Sequence, residues 1–123
     1  MERQHFQQEL ESLKERLLAM GGLAEERVRT AILGLVERDP DLIDEALNGD
    51  MPLNELHIEI DDLCLKLLAL HSPMAADLRA IMAAIKINSD LERVGDLAVN
   101  IAEDVIFIVL AKDVRHHAAD GIL

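Results

Sequence analysis

Apolar residues recur at steps of four and three through the opening of the chain: Phe6, Leu10, Leu13, Leu17, Met20, Ala24, Val28, Ala31 and Leu35. Such spacing puts them on one stripe of a helix, the side that packs against a neighbour. It predicts a first helix over about 2–38, roughly 55 Å long at 1.5 Å per residue. Gly21 and Gly22 interrupt the stripe, and each costs about 1 kcal/mol against alanine in a helix interior. They mark either a bend or a close helix contact.

Asp39-Pro40 supplies an N-cap followed by proline at the first helical position, so a short helix over about 40–47 is expected there. "NGD", Asn48 to Asp50, suits a left-handed C-cap and a fresh N-cap at Asp50, with Pro52 in the first turn of the next helix. Leu53, Leu56, Ile60, Leu63, Leu67 and Leu70 form a second seam, which predicts a helix over about 51–70. Ser72-Pro73 repeats the cap-and-proline signal. It predicts a third long helix over about 74–111, whose apolar side includes Ile87, Leu91, Val94, Ala98, Ile101, Val105 and Ile108. Long helices joined by short connections lie antiparallel. The pattern therefore predicts an all-α fold, an up-down-up three-helix bundle over 1–111, with a polar tail at 112–123.

Composition agrees. Half of the 123 residues are hydrophobic, yet Phe6 and Phe107 are the only aromatics, so the core is aliphatic and rich in helix formers. With 24 acidic against 12 basic residues, the net charge of −12 repels phosphate backbones and argues against nucleic acid as a ligand. Cations and basic protein surfaces are the natural partners. Cys64 has no intrachain partner, which fits a reducing compartment and an ordinary buried thiol. The charged N-terminus has no apolar signal region, and the run "VIFIVLA" at 105–111 is far short of a membrane span of about 20 residues. A cytoplasmic protein without membrane insertion is expected.

One stretch concentrates acid: "NSDLERVGDLAVNIAED", residues 88–104. At about 100° per residue, Glu92, Asp96 and Glu103 project within about 40° of one another, with Ser89 and Asn100 beside them. Glu92 and Asp96 are one turn apart, close enough to share a hard, oxygen-loving cation such as Mg, Ca, Mn or Fe. The candidate metal ligands are Glu92, Asp96, Asn100 and Glu103, completed by water or another segment. The alternative is a solvated acidic face, partly neutralised by Lys86 and Arg93. Elsewhere, Glu2-x-x-His5 occurs once, whereas carboxylate-bridged metal bundles need several inward-facing copies. His116-His117 reads as part of the polar tail, and His57 and His71 as helix-surface or helix-end residues. Neither a nucleophile–base constellation nor a phosphate-cradling glycine loop is present, so no enzymatic activity is expected.

The same stretch resembles the PhoU family of bacterial phosphate-signalling accessory proteins. Its E-x-x-x-D signature is matched by Glu92-Arg93-Val94-Gly95-Asp96. "LLALHSPMAADLRAIMAAIKI" at 67–87, "ELHIEIDDLCLKLLAL" at 55–70 and "HFQQELESLKERLLAMGGLAEERV" near the start are also similar, so the likeness covers nearly the whole chain. The resemblance implies a non-catalytic negative regulator of the phosphate-starvation response, linking the ATPase subunit of a phosphate ABC transporter to a sensor histidine kinase. Some members bind metal clusters through the signature, which would make Glu92 and Asp96 carboxylate ligands and leaves a metal-storage or metal-sensing bundle as the alternative function. A third reading is a dimerisation module kept soluble by its acidic face. PhoU-like proteins carry two tandem three-helix repeats. One is seen here, with 112–123 as the start of a second, so a homodimer or higher oligomer is expected in which another copy replaces the absent half.

Overall fold

The computed structural model describes residues 2–119. Its order is α1 (Glu2–Glu37), α2 (Pro40–Asn48), α3 (Met51–Leu70) and α4 (Ala75–Ala119), with no strand among the described residues. The expected all-α bundle of three long helices is therefore observed, with α2 as a short fourth element. Cross-helix contacts fix the directions. Glu9 of α1 meets Lys66 of α3 at 3.3 Å, and Arg16 meets Glu59 at 3.7 Å, so ascending α1 descends α3. Asn88 of α4 reaches back to His57, and Arg3 meets Asp77 at 3.3 Å. The long helices thus run up, down and up.

The main core joins Phe6, Leu10, Leu13, Met20 and Ala24 of α1 to Leu53, Ile60, Cys64 and Leu67 of α3 and Ile81 and Ala84 of α4. A second cluster, Ala31, Ala46, Ala98 and Ala102, closes the bundle where α3 has not yet begun, and there α2 is the third wall. Small side chains let the helices approach closely, while Val28, Ile43, Leu47 and Ile101 seal the margins.

The buried seams depart from the apolar ones at particular positions. On α1 the alternation continues 20, 24, 27, 31, 34, so Arg27 and Gly34 are buried and Leu35 is exposed. Leu70 ends α3 exposed. On α4 the buried line is Ile81, Ala84, Asn88, Gly95, Ala98, Ala102 and Val105, and Ile87 and Ile108 face outward. Arg27 is tolerated because its guanidinium donates to the carbonyls of Glu45 at 2.9 Å and Ala46 at 2.6 Å, tying α1 to the negative C-terminal end of α2. Gly34 leaves room for Ile43, whose Cγ1 would lie 3.1 Å from an added Cβ.

Several termini also differ. Asp39 caps α2 as expected, its Oδ1 accepting from the Asp41 amide at 2.9 Å. The left-handed residue, however, is Arg38 at the end of α1 (φ 52°), not the Asn48-Gly49 pair. Gly49 has φ −90° and is held by crowding: an added Cβ would lie 2.6 Å from the Glu45 carbonyl and 2.9 Å from the Arg27 guanidinium. Asp50 makes no side-chain cap to the backbone, although its carboxylate accepts from Asn54 at 3.2 Å. Ser72-Pro73 sits within the connection, and α4 begins after Met74, whose carbonyl accepts from the Leu78 amide at 2.8 Å. Gly21 and Gly22 meet nothing within 4 Å, so no close contact requires either. Finally, α4 does not stop at 111 but runs to Ala119, since no helix breaker precedes Gly121. The side chains of Glu2, His116 and His117, and residues 120–123, lie outside the described residues.

Candidate functional site

The middle of α4 is positioned by a polar node against α3. Asn88 is fully buried, and its amide donates to the His57 carbonyl at 3.0 Å and to Asp61 Oδ1 at 3.0 Å. One turn further along α4, Glu92 Oε2 lies 2.6 Å from His57 Nε2, and Asp61 Oδ2 is 3.7 Å from the same nitrogen. Two carboxylates thus converge on one imidazole nitrogen. His57 Nδ1 and Asn88 Oδ1 are buried without protein partners. Gly95 completes the junction: a Cβ there would collide with Leu53 Cδ2, so the buried Leu53 side chain occupies the space that the missing side chain leaves.

The four candidate ligands therefore separate. Glu92 is half-buried and engaged with His57, whereas Asp96, Asn100 and Glu103 are exposed and hold no ion pair or side-chain hydrogen bond among the described residues. Lys86 and Arg93 do not neutralise this face. Both turn to Asp90, at 3.9 and 3.6 Å. No group of three or more His, Cys, Asp or Glu side chains able to hold a metal ion is assembled among the described residues. As placed, the four do not form a closed donor set. They make an acidic, hydrogen-bonding strip on the outside of a helix whose inner edge is pinned.

His57, read from sequence as a surface residue, is instead an interhelical contact, and Asp61 and Asn88 were not singled out. Asn88 had a legible signal: a polar residue standing four positions after Ala84, in register with the buried line. Cys64 behaves as expected of a buried thiol. Burial, assisted by the negative charge of Asp61, pushes it up to about 11. A second hub lies at the other end of the bundle, where the Glu9 carboxylate lies 2.9 Å from His5, 3.3 Å from Lys66 and 3.7 Å from His71, whose ring is tilted at 54° against Phe6. It ties the α3–α4 turn to the start of α1. Among the described residues no helix is long and apolar enough to cross a membrane.

Comparison with known proteins accords with this architecture. The PhoU domain model matches residues 17–105. The phosphate-specific transport system accessory protein PhoU of Edwardsiella tarda is 42% identical over 93 residues, covering 76% of this chain and 38% of that protein. Its homologue from Pseudomonas putida is 42% identical over 103 residues, covering 84% and 40% respectively. The homologue from Rhizobium meliloti is 38% identical over 120 residues, covering 92% and 51%. The chain thus spans about two fifths to one half of the length of these relatives. No solved structure gives a significant match.

Proposed function

Because the chain belongs to the PhoU domain family, we propose that it is a non-catalytic regulator of phosphate uptake, an adaptor that offers the outer strip of α4 to a protein partner in the cytoplasm. The observation that carries this reading is the division of labour within the signature. Glu92 is used inside the bundle against His57, while Asp96, one turn on, is left outside with Asn100 and Glu103. A pinned helix presenting unpaired carboxylates is a preorganised surface for a basic partner. The relatives are named as accessory proteins of a phosphate-specific transport system, which supports a component of such a system as one partner, and we take this to be the ATPase subunit. A sensor histidine kinase is the other.

A metal ion at this strip is the alternative. Asp96, Asn100 and Glu103 are hard oxygen donors on one side only, so a divalent cation would draw the rest of its shell from water or another chain. Binding of the purified chain to the purified transporter ATPase subunit, measured in a chelating buffer and again with added manganese, separates the two readings. The adaptor reading expects binding in chelator, weakened by Asp96→Asn/Glu103→Gln. Loss of all binding in chelator would sink it in favour of the metal, and binding indifferent to the substitutions would sink both.

A further inference from the structure

Of the two acids of the signature, Glu92 is the one that His57 keeps from the outer strip, at 2.6 Å between Oε2 and Nε2. Its side chain is nevertheless 38% exposed, so the carboxylate stands at the water's edge of the α3–α4 seam. Asp96 lies one turn further along the same helix, a neighbour for a carboxylate that turns outward. The node is also equipped to release Glu92. Asp61 Oδ2 stands 3.7 Å from the same imidazole nitrogen, and Asp61 is held in place by its other oxygen, which accepts from the buried Asn88 amide at 3.0 Å. When Glu92 leaves, His57 Nε2 therefore keeps a carboxylate beside it. His57 Nδ1 is buried without a protein partner, so Nε2 carries the exchange.

We propose that His57 is an autoinhibitory contact on the strip: it withholds Glu92 until a basic partner docks, then passes to Asp61 as Glu92 turns out beside Asp96. The inference rests on the strip being a docking surface for such a partner, and adds how that surface is regulated. Electrostatics sets the two states. Without a partner, two carboxylates one turn apart on a helix repel each other, and Glu92 is better placed on His57. A cation seated on the strip reverses that preference, because both carboxylates then share it. Docking thus adds a carboxylate to the strip and removes one cross-link from the α3–α4 seam, and the two events are coupled in both directions. Asn88 keeps the helices joined meanwhile, through Asp61 and the His57 carbonyl.

Isothermal titration of the purified chain with hexaarginine, a stand-in for a basic partner surface, tests this. Binding is expected, and Asp96→Asn/Glu103→Gln should weaken it. His57→Leu should tighten it about fivefold, the size of one partly exposed charged contact. With Glu92→Gln already in place, His57→Leu should change nothing. Should that substitution perturb the fold, the wild-type chain supplies a second readout. Saturating peptide should move the His57 ring-nitrogen NMR signals to their positions in Glu92→Gln. No binding, or binding indifferent to Asp96→Asn/Glu103→Gln, overturns the docking surface and this device with it. Binding that needs the strip but ignores His57, whose ring signals stay unmoved, overturns the device alone. A gain from His57→Leu that persists alongside Glu92→Gln also overturns it, because His57 then acts only through charge at a distance.

Discussion

Glu92 and His57 join α4 to α3 through a contact of 2.6 Å between Oε2 and Nε2, which places the first acid of the signature inside the bundle's architecture and Asp96 outside it. Glu92→Gln is expected to lower the unfolding free energy by about 1 kcal/mol, the scale of a partly exposed charged contact. Asp96→Asn should stay within about 0.5 kcal/mol, as for a surface position without partners. Urea denaturation of both variants decides it, and equal effects would contradict the division.

Gly95 and the Gly21-Gly22 pair should respond in opposite directions to alanine. At Gly95 the new methyl runs into Leu53 Cδ2, so that buried side chain must leave its place in the core, at about 1–3 kcal/mol. At Gly21 and Gly22 nothing lies within 4 Å, so each substitution should stabilise by up to about 1 kcal/mol through propensity and the unfolded chain. Thermal midpoints should therefore fall for Gly95→Ala and rise for Gly21→Ala and Gly22→Ala.

Cys64 makes stability fall with alkali. Its thiol is pushed from 9.0 to about 11 in the fold, chiefly by burial and secondarily by Asp61. Between those values the unfolded chain has lost the proton and the folded chain keeps it. Raising the pH through that window therefore favours unfolding, by about 2–3 kcal/mol in all. Cys64→Ala should flatten this dependence, and a pH series of chemical denaturation on both proteins measures it. The native thiol should also resist alkylation at pH 8 until denaturant is added.

Arg27 holds α2 by two carbonyls, Glu45 and Ala46. Arg27→Met keeps much of the packing volume but removes those donors, leaving the Ala46 carbonyl unsatisfied at about 1–3 kcal/mol, while Glu45 still accepts from the Gly49 amide at 2.7 Å. Hydrogen exchange should show protection lost first across Pro40–Asn48, with the α3–α4 interface retained. Uniform loss along the chain would argue against a local clamp.

The polar node gives a further comparison. Asn88→Ala leaves Asp61 and the His57 carbonyl without their buried donor and should cost about 1–3 kcal/mol. Ser89→Ala, on the next, exposed position, should be close to neutral under the same urea titration.

The helices and their order were legible in the sequence because they rest on local physics. The 3.6-residue period, the Asp39-Pro40 cap and the short connections leave few arrangements for three long amphipathic segments, and an antiparallel bundle is the one that buries every stripe. The concentration of acid on α4 and its signature were legible for the same reason, since angular position on a helix follows from spacing alone. Which seam positions are buried was decided only by tertiary structure. Arg27, Asn88 and Gly95 do not read as core residues, because the free energy of burying a cation or an amide depends on whether distant groups satisfy it. The terminal nitrogens of Arg27 reach carbonyls 18 and 19 residues on, the Asn88 amide nitrogen reaches a carbonyl 31 residues back, and Gly95 makes room for Leu53 on another helix. Glu92 follows the same rule: spacing put it beside Asp96 on one face, and only the approach of His57 from α3 turned it inward and left Asp96 to the solvent.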